Sequence, residues 1–213
     1  MTIASGSTIL ASDHLQEHSS SGTHTAATLT SAGYTSPGLA CEGRLTLTSG
    51  TPVTTADVTN ATSIYFSPFR GNRIALYDGS SSWNMRTFSE LTLALGTLTA
   101  NLPYDIFAYD NSGTVALRSA VAWTNTTTRA TALTTQNGCL VKTGATTDRY
   151  LGTFYTSSTT QTQDSATQRF LWNYYNRVRK PMSCTDGTDS WTYTTTTWRQ
   201  ANNSTTVGTS MVS

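Results

Sequence analysis

The sharpest chemical spacing in the chain is His14-Leu15-Gln16-Glu17-His18. It fits H-x-x-E-H, in which two histidines one helical turn apart hold zinc and the glutamate acts as base. That chemistry needs a rigid helix inside a sizeable domain, and a third ligand. Here the motif runs directly into Ser19-Ser20-Ser21-Gly22, and a five-residue match alone has a high false-positive rate. A ring of His18 or His24 about a threefold axis is the other metal reading. The favoured reading is that these are solvated histidines on an arm, holding no metal.

Catalysis elsewhere has fewer parts still. From Cys41 to the C-terminus there is no histidine to serve as base, and no G-x-S-x-G elbow occurs. Glycoside hydrolysis needs only two carboxylates, so Glu90, Asp105, Asp110, Asp148 and Asp164 qualify by type. Their spacing selects no pair, and Asp78, Asp110 and Asp186 sit where turns favour Asp. No glycine-rich phosphate loop is present. The expectation is therefore no catalytic residue, no cofactor and no metal, hence not an enzyme. What remains is aromatic: Trp83, Trp123, Trp191 or Trp198 with neighbouring tyrosines could form a sugar-stacking platform. Plugging a sheet edge is the favoured role for those rings.

The elements that would position such side chains are strands. Residues 64–123 contain Ile64-Tyr65-Phe66, Ile74–Tyr77 before Asp78-Gly79, Leu91–Leu95, and Tyr104–Tyr109 before Asn111-Ser112-Gly113, then Val115–Leu117 and Val121–Trp123. Short β-branched and aromatic runs closed by such turns describe antiparallel hairpins. No stretch carries three or four turns of helical periodicity. The expected fold is all-β, an antiparallel β-sandwich-like core with an extended N-terminal arm.

Alternation assigns the faces. Tyr104, Ile106 and Ala108 share one side of their strand and Phe107 and Tyr109 the other. Over Arg149–Tyr155, Leu151 and Tyr155 are expected opposite Tyr150 and Phe154. Arg169–Val178 reads as one strand with Phe170, Trp172 and Tyr174 on one face, which predicts a buried Trp172. Large rings on both faces suit burial on both sides, or an assembly interface on one.

Composition narrows the class. Charged residues make up 12% of the 213 residues, and Thr is the commonest type. Thr favours extended backbone while its hydroxyl keeps an exposed strand face wet. The net charge is +1, and all but Lys142 and Lys180 of the 13 basic residues are arginines. The sequence has no basic cluster, so neither a nucleic-acid groove nor an anionic-membrane surface is expected, and no apolar stretch is long enough for membrane insertion. Each Arg by itself reads as a scattered solvated position. Cys41, Cys139 and Cys184 follow no metal spacing and make no disulfide framework; one pair could form, but three free thiols is the simpler reading. The opening Met1–Gly6 lacks the features of a signal peptide.

Three regions follow: a docking arm over 1–40, a β-rich core over 41–181, and a C-terminal strand with a loose tail over 182–213. The arm is Ser/Thr/Gly-rich and cannot bury enough apolar surface to order itself. Its apolar residues Ile3, Ile9, Leu10 and Leu15 suit adding a strand or plug to a partner. They are the candidate docking residues.

Five strings, taken as an ordered set, resemble a family of tailed-bacteriophage virion structural proteins. They are Ser67-Pro-Phe-Arg-Gly-Asn-Arg-Ile-Ala-Leu-Tyr-Asp-Gly79, Leu102-Pro-Tyr-Asp-Ile-Phe-Ala-Tyr-Asp110, Thr147-Asp-Arg-Tyr-Leu-Gly-Thr-Phe154, Phe170-Leu-Trp-Asn-Tyr-Tyr-Asn-Arg177 and Asp189-Ser-Trp-Thr-Tyr-Thr194. The resemblance spans roughly residues 41–200. It implies a virion component, such as a head fibre, decoration protein or tail appendage, with no catalytic residues to carry over. Its implied partners are other capsid or tail proteins and two further copies in a homotrimer. A host surface glycan is the partner in the alternative reading, a carbohydrate-binding adhesion module.

Overall fold

The hairpin turns take the backbone that their residues favour. Asn111 and Thr114 pair across Ser112 and Gly113, whose φ values are 52° and 94°. Gln136 and Cys139 pair across Asn137 and Gly138, at 49° and 82°. Positive φ at both central residues gives the primed turn whose twist matches flanking strands. The computed structural model describes residues 40–185, with 187, 192, 194, 196–197 and 209–211. The chain divides into two units, Met1–Ser36 and Pro37–Ser213, and every described residue belongs to the second.

In chain order the strands are β1 (Gly43–Thr46), β2 (Val58–Ala61), β3 (Ser63–Pro68), β4 (Arg73–Tyr77), β5 (Trp83–Thr87) and β6 (Leu91–Ala94). Next come β7 (Pro103–Asn111), β8 (Thr114–Leu117), β9 (Val121–Ala122), β10 (Leu133–Gln136), β11 (Cys139–Lys142) and β12 (Ala145–Tyr155). The last are β13 (Thr162–Asp164), β14 (Gln168–Arg169), β15 (Leu171–Asn173) and β16 (Ser210–Met211). No helix occurs among the described residues. The fold is all-β.

The largest sheet runs β10-β11-β12-β7-β8, with β15 also on β12 and β9 also on β7. A β1-β3-β6 sheet and the β4-β5 hairpin pack against its inner face. Between them lie Leu45, Ile64, Phe66, Ile74, Leu76, Tyr104, Ile106, Leu151 and Phe154, all buried. A smaller sheet, β16-β14-β13-β2, is antiparallel except where β14 meets β16.

Two details of the core differ from simple alternation. The β12–β7 register shifts between Tyr150 and Gly152, leaving Leu151 as an extra residue. A bulge reverses the faces beyond it. Leu151 and Phe154 therefore share the inner core, while Tyr150 and Thr153 share the outer face and hydrogen-bond at 2.6 Å. The expectation that grouped Tyr150 with Phe154 fails at this one residue.

The second correction concerns residues 169–178, which are not one strand. The chain leaves β13 after Arg169, crosses at Phe170 and joins β12 at Leu171. Phe170 then packs edge-on against Tyr155 at 4.9 Å, apart from Trp172 and Tyr174. Trp172 is only half-buried, beside Tyr150 and Tyr174 on the outer face. The buried residue of β15 is Asn173, whose Oδ1 accepts from Leu45 N at 2.7 Å and whose Nδ2 donates to Leu45 O at 3.0 Å. One side chain thus pairs β1 as another strand's backbone would. Asn176, at φ 52°, adds Nδ2 donations to the carbonyls of Cys41 and Gly43.

Candidate functional site

Each described carboxylate already has a structural partner. Glu42 accepts from Arg73 N, Asp57 from Ala166 N, and Asp78 from the amides of Ser80, Ser81 and Ser82. Those amides, Ser82 and Ser80 foremost, hold Asp78 down at about 2. Burial would raise Glu90, but hydrogen bonds from Ser49, Ser67 and Gly50 bring it below its ordinary value. The four remaining groups are Asp105 with Arg129, Asp110 with Arg86, Asp148 with Arg118, and Asp164 with Arg169 and Lys180. The arginines that read singly as solvated positions are, in these pairs, cross-links between strands and loops.

Asp105 shows the arrangement best. Its carboxylate is 2% exposed and accepts from Arg129 Nε at 2.9 Å and from Thr153 Oγ1 at 2.7 Å. Tyr150, bonded to Thr153 and approached by Arg129, is pushed up to about 12 by its burial. Burial likewise drives the Cys41 thiol up to about 11, against the opposing pull of Arg149. Neither Tyr150 nor Cys41 is poised for proton transfer near neutrality.

The chemistry that is left lies in a cleft of about 550 Å³ beside β12, β13 and β14. Trp123, Tyr155 and Phe170 supply rings to it, and Asn101, Gln163 and Gln168 supply amides. Among the described residues no Asp, Glu, Lys, Arg or His lines it. Trp123 closes β9, where its N donates to Pro103 O at 3.0 Å, and Arg129 covers its ring at 4.3 Å. Its buried Nε1 has no hydrogen-bond partner among the described residues. Flat rings and uncharged amides of this kind suit a neutral, polar, ring-shaped ligand.

Of the other tryptophans named from the sequence, Trp83 packs on Tyr77 and donates from Nε1 to Asn137 Oδ1 at 3.2 Å. Trp191 and Trp198 lie outside the described residues, as do Ile3, Ile9, Leu10, Leu15, the three histidines and the strand expected at 191–193. The described residues contain no cluster of metal-ligating side chains. No described helix is long and apolar enough to cross a membrane. Cys41 and Cys139 are buried, Cys184 is exposed, and none is in a disulfide.

Sequence reading missed one feature. A second cleft, of about 260 Å³, gathers Arg44, Arg169, Arg177, Arg179 and Lys180 around Asp164, the one carboxylate among the described residues that line it. The chain does have a basic cluster. Only Arg177, Arg179 and Lys180 adjoin in sequence, and folding brings Arg44 to them across more than 130 positions.

Among known proteins, no family model, no curated protein and no solved structure matches this chain.

Proposed function

We propose that this protein is a non-enzymatic structural component of a tailed-phage virion, of the head-fibre, decoration or tail-appendage kind. Residues 1–40 dock it, and the β-rich core is presented outward or bonded to neighbouring copies in a homotrimer. The observation that carries the reading is the commitment of every described carboxylate to a backbone cap or an ion pair. Such a core is cross-linked for rigidity and has no acid–base pair to spare. The half-buried Trp172 and Tyr174 on the outer face of the largest sheet support the trimer, since rings left partly exposed are common subunit contacts. The five phage-like strings supply the virion setting.

Deletion of the arm tests the proposal. The cut belongs before Pro37, because Ala40 O accepts from Ala75 N at 3.0 Å and from Arg149 Nη1 at 2.8 Å. A chain starting at Pro37 is expected to fold with an unchanged melting temperature and to be missing from particles. Incorporation at the full-length level would place docking in the core instead.

A second reading, glycan adhesion, is favoured by the neutral aromatic cleft at Trp123, Tyr155 and Phe170. A glycan array separates the two: a purely structural element binds no sugar, and an adhesion module loses its signal in Trp123→Ala.

A further inference from the structure

The β13–β14 hairpin has two chemically different sides. Gln163, Gln168 and Phe170 line the neutral cleft, while their sequence neighbours Asp164, Arg169 and Leu171 line the basic one. Alternation along β13 and β14 separates Gln163 from Asp164 and Gln168 from Arg169, and the crossing at Phe170 carries the division on to Leu171.

The basic side carries more cationic charge than its own carboxylate can balance. Asp164 is fully engaged, with Oδ1 taking Arg169 Nη1 at 3.0 Å and Oδ2 taking Lys180 Nζ. Arg44, only 6% exposed, donates to the carbonyls of Asn176, Leu45 and Pro52 and has no ion pair among the described residues. Burial lowers its pKa, with Asp164 only partly opposing. The Nε of Arg169 is buried without a hydrogen-bond partner among the described residues. Arg177 lies over the Trp172 ring at 5.5 Å, and both Arg177 and Arg179 are exposed at the cleft. Guanidinium groups removed from water without counter-charge are costly, and an incoming anion offsets that cost.

We propose that the cleft formed by Arg44, Arg169, Arg177 and Arg179 beside Trp172 binds the oxyanion of a small phosphorylated ligand. The planar guanidinium fork matches phosphate oxygens two at a time. The volume of about 260 Å³ admits a phosphate with a single sugar-sized group but no duplex.

Calorimetric titration of the full chain with sodium phosphate, glucose 6-phosphate and glucose tests this. Both phosphates are expected to bind, more weakly as NaCl is raised, and glucose is expected not to bind at this cleft. Arg177→Gln and Arg179→Gln change exposed side chains and should leave the fold intact while each weakens binding about tenfold, the usual scale for a lost charged hydrogen bond. Tighter binding of glucose 6-phosphate identifies a sugar-borne phosphate as the ligand, and equal binding identifies the free anion. The proposal is overturned if neither phosphate binds, if both variants bind as the parent does, or if duplex DNA binds more tightly than either.

Discussion

Asp105 is held by Arg129 and Thr153 on the outer face of the largest sheet, and its removal strands a guanidinium against Trp123 and Tyr150. Asp105→Ala is therefore expected to cost about 3 kcal/mol, the low end for a broken buried pair because Arg129 is part-exposed. Urea denaturation measures it, and a loss near zero would mean the pair is mere surface charge. A second outcome concerns alkali. Burial raises Cys41 from 9.0 to about 11, and Tyr150 and Tyr175 from 10.0 to about 12, so the fold favours their neutral forms. Their contribution to stability is complete below about pH 9 and disappears as pH climbs through the folded-state values. The urea midpoint should hold steady up to that point, then fall towards pH 12, and Cys41→Ala should flatten the first part of the decline. A midpoint unchanged to pH 12 would contradict the burial of these groups. These pairings were not legible in the sequence, because Asp110 and Asp105 each lie 24 residues from their arginines and Asp148 lies 30 from its own. Only the strand register brings them together.

At the scale of elements, β15 reaches β12 through Gly152, where a Cβ would stand 2.2 Å from the Trp172 carbonyl oxygen and 2.9 Å from Leu45 Cδ1. Backbone cannot yield as a flexible side chain does. Gly152→Ala is expected to push β15 outward, stretch the Asn173 bonds to Leu45 and cost about 1–3 kcal/mol or more. Faster hydrogen exchange at Leu45 N, which donates to Asn173, would report the displacement, and unchanged exchange would refute the close approach. The hairpins of β7–β8 and β10–β11 were readable because Asn, Ser and Gly mark positive φ locally. The faces of β7 were readable for the same local reason, as alternation runs unbroken from Tyr104 to Ala108. The bulge at Leu151 was not readable, since it depends on which residue of β7 each residue of β12 meets. Trp172 misled for a related reason: the crossing at Phe170 moves the chain between sheets, and Asn173 takes the buried place that hydrophobicity alone would give to a ring.

For the whole molecule, the all-β class followed directly from short runs and turn residues, whereas the two clefts depend on strands distant in sequence. The basic cleft needs Arg44 of β1 beside Arg177 and Arg179, and the neutral one needs Trp123 beside Tyr155 and Phe170. Neither grouping has a sequence spacing to betray it. The function proposed for the assembled protein stands on its place in a particle, and the most direct measurement is its copy number there. On the proposed role, quantitative mass spectrometry of gradient-purified particles from a lysate that contains this chain should find it in a fixed ratio to the major capsid or tail protein, in a multiple of three copies per particle. Absence from washed particles, with the chain recovered only in the soluble lysate, would contradict the structural role.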